Sequence, residues 1–193
     1  MLTRDQFKTV ADKLGCETAA VMAVSTVESN GNGFLSNGQP KILFEGHVFW
    51  KELLKAGVNP ENIRMGNEDI LYPVWNLVAV RPFYKMNQYQ RLEKAKAING
   101  EAALRSASWG AFQIMGFNYG ACSFSSVNDF VAAQADEFSQ LQCFTNYILK
   151  RHLNVNLKNL DWAGFALAYN GKEYRKNNYD GKLKNAYDKF KTA

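Results

Sequence analysis

The chain has 193 residues, 47% hydrophobic and 13% aromatic, enough for one domain with a sizeable buried core. Charged residues make up 21%, which excludes a disordered chain, and no stretch approaches the roughly 18 uncharged apolar residues of a membrane span. The net charge is +5, but from Lys172 onward seven basic residues face three acidic ones, so the rest is near neutral and nucleic-acid binding is disfavoured.

No repeat, low-complexity tract or Pro/Ser-rich linker divides the chain, so residues 1–193 read as a single domain. Thr3 and Gln6 have capping-box spacing, with Leu2 and Phe7 as a hydrophobic staple, Phe7, Val10 and Leu14 as an apolar face and Gly15 as a stop. A second helix is predicted over Thr18–Glu28, nearly all apolar or small and therefore buried on most sides. It runs into the glycine-rich turn Ser29-Asn30-Gly31-Asn32-Gly33. Phe34 to Phe44, with Ser36-Asn37-Gly38 between short apolar pieces, predicts a β-hairpin, the one strand element expected.

The remainder reads as helical. His47–Ala56 forms one helix, ended by Gly57, and residues 58–83, with Pro60, Pro73 and Pro82, read as irregular. Tyr84–Ile98 and Glu101–Ala107 flank the Asn99-Gly100 break, and Ser108–Gly120 reads as a glycine-punctuated turn and short helix. One or two long helices occupy Ser126–His152, with Asp136 and Glu137 on their solvated face; Asp161–Tyr169 is another helix. The last helix, over 182–191, places Leu183, Ala186, Tyr187 and Phe190 on one stripe among lysines. Such a basic amphipathic helix can lie on an anionic membrane or pack its stripe on the domain.

Cys16, Cys122 and Cys143 lack metal-ligand spacing and read as reduced, buried thiols, and His47 and His152 stand alone, so neither a metal nor a cofactor is expected. The N-terminus has no apolar core of a secretory signal, which predicts a product that remains in the cytoplasm of the cell that makes it.

Three segments can carry chemistry. Glu28 lies at the C-terminal end of an apolar helix, where burial and the negative helix end both raise a carboxyl pKa; a carboxyl protonated near neutral pH can protonate a glycosidic oxygen. Ser108-Trp109-Gly110-Ala111-Phe112-Gln113-Ile114-Met115-Gly116 combines glycines, an amide and aromatics in a way that suits a groove floor. Of the four tryptophans, Trp109 is the one expected to stack on a sugar. Ala166-Leu167-Ala168-Tyr169-Asn170-Gly171 places a phenol and an amide just beyond a helix.

The ordered set Glu28-Ser29, then S-x-G-x-x-Q-I-M, then A-x-A-Y-N-G resembles the lysozyme superfamily, especially goose-type lysozymes and soluble lytic transglycosylases. V-E-S-N-G-x-G-F-L with I-L-F-E-G-H-V-F, F-V-x-A near Phe130, Q-L-x-x-F near Leu141 and D-W-x-x-F-A-x-x-Y-N-G at 161–171 are similar to phage and prophage N-acetylmuramidase endolysins, over about residues 5 to 190. The resemblance implies a mainly α, lysozyme-like fold of two lobes with a small β-hairpin and a substrate groove between them. It implies cleavage of the β-1,4 bond between N-acetylmuramic acid and N-acetylglucosamine in peptidoglycan, with Glu28 as acid and host-cell lysis as outcome. It also implies release to the periplasm and wall through a separate holin-type pore. Many such enzymes carry an N-terminal wall-binding module, for which these residues leave no room.

On this reading Ser29, Trp109, Gly110, Gln113, Tyr119, Tyr169 and Asn170 bind the glycan strand. The stretch 29–44 contains no acid, so the second carboxylate is either Glu45, across the groove and oriented by His47, or absent, with Glu45 capping the helix near His47. A retaining or inverting outcome depends on the carboxylate separation. A lytic transglycosylase forming anhydro ends needs one Glu, and a non-catalytic wall- or chitin-binding module needs none. The expected partners are peptidoglycan and, through the C-terminal helix, an anionic outer-membrane surface, with the protein a monomer.

Overall fold

The computed structural model describes residues 2–29 and 32–192. Helix α1 (Arg4–Leu14) begins at the capping box: the Gln6 amide donates to Thr3 Oγ1 at 3.3 Å, and the Thr3 amide donates to Gln6 Oε1 at 2.9 Å. Gly15 ends it with φ 69, a left-handed conformation that glycine adopts without a Cβ penalty. Helix α2 (Thr18–Ser29) buries Ala20, Val21, Ala23, Val24 and Ser25, as its all-round apolar sequence requires. It runs one residue past Glu28. The turn expected after it falls on Asn30 and Gly31, which lie outside the described residues.

The expected hairpin over 34–44 is mostly replaced by a different pairing. Residues 34–40 close a tight turn through a single bridge, Phe34 to Pro40, but β1 (Ile42–Phe44) pairs antiparallel with β2 (Ala107–Trp109), which pairs with β3 (Ile114–Met115). The sheet order is β1-β2-β3, with Leu43 opposite Ser108 and Ser108 opposite Met115. The segment read as a turn and short helix is thus a hairpin, followed by a single 3-10 turn at Gly116–Asn118. Left-handed backbone at Gly110 (φ 69) and Gln113 (φ 48) reverses the chain between the strands.

Helix α3 (Gly46–Lys55) follows β1. Residues 58–83, read as irregular, contain a 3-10 turn at Pro60–Ile63 and helix α4 (Leu77–Tyr84). Asn76 starts α4 by accepting from the Val78 and Ala79 amides, and Pro82 sits inside it instead of marking its limit. The single helix expected over Tyr84–Ile98 is interrupted, because Asn87 caps a new start, that of α5 (Gln88–Lys96). Then come α6 (Gly100–Arg105), α7 (Val127–Ala133), α8 (Glu137–Lys150) and α9 (Asn154–Lys158). Asp136 is no mid-helix surface residue. It N-caps α8, accepting from the Ser139 amide at 2.7 Å, which holds its carboxyl below the usual carboxylate range. Helix α10 (Trp162–Asn170) is capped by Asp161, and α11 spans Tyr179–Lys191, three residues longer than expected.

The fold is mainly α, with one small three-stranded antiparallel sheet. In one lobe α2 packs against α1 and α11, α10 against α11, and α8 against α1; in the other the sheet packs with α3, α5 and α6. Arg91 of α5, 1% exposed, fastens that second lobe by donating to the carbonyls of Phe44 and Asp69 and to Gln88 Oε1. Glu52, also buried, ties α3 to α6 through Arg105 Nε at 2.6 Å.

Helix α11 takes the second of its two expected roles. Leu183 is fully buried and Tyr187 4% exposed, the latter against Ala20 and Ala23 of α2, and the Tyr187 hydroxyl donates to Glu17 Oε2 at 2.9 Å. The apolar stripe that could have entered a membrane is packed against the domain. Among the described residues no helix is long and apolar enough to cross a membrane.

Candidate active site

Glu28 is half-buried in the last turn of α2 and lines two open cavities at once, of about 410 and 420 Å³. Phe112, Ile114, Met115, Asn118, Tyr147, Tyr169, Asn170 and Tyr179 line the first; Ser29, Leu35, Lys41, Ile42, Leu43 and Gly110 are among those lining the second. Gln113 lines both. The two form one groove with Glu28 midway along it, between the α2–α10–α11 lobe and the sheet.

The carboxyl of Glu28 is held. Asn170, the last residue of α10, donates its Nδ2–H to Glu28 Oε1 at 3.0 Å. Burial pushes the Glu28 pKa up from its ordinary value, and the Asn170 bond, which favours the charged form, offsets part of that rise. Around it stand phenols that remain protonated. Burial and the neighbouring Glu28 charge raise both Tyr169, well above its ordinary range, and Tyr179. Tyr169 donates to the Phe112 carbonyl at 3.1 Å, which ties the end of α10 to the β2–β3 turn, and stacks on Phe165 one turn earlier in the same helix.

The groove floor is the β2–β3 turn. Ser108 Oγ donates to Gln113 Oε1 at 2.8 Å, and Gln113 Nε2 donates to the Gly110 carbonyl at 2.8 Å, so the serine and glutamine of the motif lock the turn. Beneath it, Gln140 Oε1 accepts from the Ala111 amide at 2.7 Å, and Gln140 Nε2 donates to the Gln134 carbonyl. A Cβ at Gly110 would collide with the side-chain amides of Gln134 and Gln140, and one at Gly33 with Gln140 and Ala111. The glycines let the chain approach its own buried amides.

The structure brings Glu28, Ser29, Gly110, Gln113, Tyr169 and Asn170 to the groove and leaves three expected residues out of it. Trp109 is 3% exposed, donates its indole N–H to the Leu104 carbonyl at 3.1 Å and lines neither cavity, so it is a core residue and no sugar platform. Tyr119 lies outside both linings, with Arg105 over its ring at 5.6 Å; its neighbour Asn118 takes the groove position. Glu45 also lines neither cavity. Its Oε2 accepts from the Tyr84 hydroxyl at 2.8 Å, with His47 Nδ1 3.4 Å away, and its side chain does not cap α3. Among the described residues, Glu28 is the only acid in either lining. Tyr147 and Tyr179 were not foreseen. Tyr147 shares the helical spacing of Phe144 and Ile148, which points it inward, whereas Tyr179 precedes the point at which an apolar stripe becomes visible.

Comparison with known proteins gives the family. The family model described as N-acetylmuramidase matches residues 17–191. The chain belongs to the N-acetylmuramidase family. A crystal structure of the endolysin of the Burkholderia phage AP3 superposes on it with a TM-score of 0.90 and 37% identity, covering 100% of this chain and 72% of that one. A comparison with curated proteins found no match. The muramidase is thus a peptidoglycan-cleaving enzyme of the phage endolysin kind, and its matched region contains Glu28, the β2–β3 turn and Asn170.

Proposed function

We propose that this muramidase cleaves the β-1,4 bond between N-acetylmuramic acid and N-acetylglucosamine, with Glu28 as general acid. The observation that carries the reading is a desolvated Glu28 carboxyl, fixed by Asn170, shared by two open cavities of about 410 and 420 Å³. Protonated Glu28 donates to the glycosidic oxygen as the bond breaks and positive charge develops on the departing sugar ring. The carboxylate left behind is close enough to take a proton from the attacking group. Water as that group gives hydrolysis, causing lysis once the enzyme reaches the wall from the cytoplasm through a holin-type pore.

A second reading is favoured by Glu28 being the only acid among the described residues of the groove. With no second carboxylate among them to steer water, the muramic acid's own 6-hydroxyl can attack, leaving an anhydro end. Mass spectrometry of fragments from purified peptidoglycan decides between them. Reducing muramic acid ends, with one water added per cut, establish hydrolysis; anhydro ends lacking it establish transglycosylation. Cleavage that persists in Glu28→Gln rejects both, and binding without cleavage in the unaltered protein leaves a wall-binding module.

A further inference from the structure

The corner where the chain enters α4 is exposed and apolar. Val74 is 72% exposed, Trp75 50%, Leu77 54% and Val78 86%, four large apolar side chains within five positions, with Met86 beyond the helix. Patches of this kind on a water-exposed surface mark places of contact. None of these residues lines the groove around Glu28.

The corner is held out rather than left loose. Asn76 caps α4, and Val80, 1% exposed, and Phe83, stacked on Tyr72 at 5.8 Å, anchor the opposite face of the helix. Trp75 is pinned by its indole N–H, which donates to the Tyr84 hydroxyl at 2.9 Å, and Tyr84 in turn donates to Glu45. The indole therefore enters an apolar phase with its donor already satisfied, and a residue of this kind suits a membrane interface.

The exposed charges along this stretch of sequence have one sign, and the nearby Glu45 carboxylate is turned inward onto the Tyr84 hydroxyl. Between Asp69 and Glu93 the sequence contains no acid, while Arg81 and Lys85 are exposed on α4 and just after it. Apolar side chains beside exposed cations are the composition that seats a protein on acidic phospholipid. The geometry points to this corner, Val74–Met86, as a docking surface for an anionic phospholipid bilayer. It takes one of the two parts that the sequence left open for the C-terminal helix, whose lysines surround a stripe already buried on α2.

Flotation of the muramidase with vesicles of equimolar phosphatidylglycerol and phosphatidylcholine, against phosphatidylcholine alone, tests this. Binding to the acidic vesicles, quenching of tryptophan emission by brominated lipid and loss of both in Val78→Asp are expected. Arg81→Gln with Lys85→Gln weakens partition roughly thirtyfold, since each basic side chain near such a surface contributes about 1 kcal/mol. Digestion of purified peptidoglycan stays unchanged in these variants. No partition on acidic vesicles overturns the proposal. So does partition indifferent to Val78→Asp but lost in Lys184→Glu with Lys189→Glu, which returns the role to α11. Dimerisation of the unaltered protein that Val78→Asp abolishes, without lipid binding, makes the corner an interface between copies and overturns it too.

Discussion

Asn170 and Glu28, 142 positions apart in the chain, meet at 3.0 Å where the C-terminal turns of α10 and α2 converge. Two helices thereby deliver the proposed acid and an amide that holds it, and the carboxyl retains enough contact with protein to be both protonated and aimed. Asn170 stabilises the charged form, so its removal raises the Glu28 pKa further. Activity that needs protonated Glu28 is lost as pH rises through that pKa. Asn170→Ala therefore moves the alkaline limb of the kcat/KM profile upward by roughly one unit, because a hydrogen bond to a charged group contributes about 1.5 kcal/mol. A limb that moves down, or stays, contradicts the assignment.

Stability carries the same signature with the opposite functional outcome. The folded Glu28 pKa lies above its unfolded value, so the carboxyl is tolerated at low pH and its burial becomes a liability as pH rises through the folded pKa. Glu28→Gln removes the ionisation but keeps the shape. Thermal unfolding is expected to show a higher Tm for Glu28→Gln at neutral pH and a difference that shrinks below the ordinary carboxyl range. Its kcat/KM falls by roughly 10²–10⁴-fold, the usual contribution of a general acid. A variant less stable at neutral pH would mean that Glu28 is held by charge rather than desolvated.

Trp109 separates two meanings of an aromatic in a glycine-rich motif. At 3% exposure, with its indole N–H on the Leu104 carbonyl, it belongs to the core beneath the sheet. Trp109→Ala costs about 3–5 kcal/mol in urea unfolding. The milder Trp109→Phe leaves KM for solubilised glycan strands near its original value. A sugar-stacking role would reverse the pattern, with intact stability and raised KM.

Local signals were legible wherever the cause of an element lies inside it. The capping box at Thr3, the stop at Gly15 and the apolar run of α2 need only neighbouring residues, and each formed as read. The three groove segments were legible for the same reason. What escaped depends on partners distant in sequence. β1 looks like half of a hairpin, but its partner, β2, comes more than sixty residues later. Gly110 and Gln113 look like sugar-facing groups, yet Gly110 makes room for Gln134 and Gln140, and Gln113 closes its own turn. Glu45 had the right residue type for a second carboxylate, and only the fold sends it to Tyr84. Proline misled once, since Pro82 is accommodated inside α4.

The sequence left the basic C-terminal helix free either to meet a membrane or to pack on the domain, and its packed position makes the last prediction. Leu183 and Tyr187 fill the seam between α11 and α2, and burying side chains of this size stabilises by about 1.5–3 kcal/mol each. Tyr179, at the start of the same helix, faces the Glu28 cavity. Deleting 182–193 thus exposes the back of the helix that carries Glu28, the proposed acid, and loosens a wall of the groove. Digestion of purified peptidoglycan and killing of intact cells should fall together, alongside a lower Tm. Reversing only exposed lysines, as in Lys184→Glu with Lys189→Glu, should leave digestion intact because no packed side chain changes. A truncated enzyme that still digests purified peptidoglycan at full rate would show that α11 is dispensable to the groove and acts only at the surface.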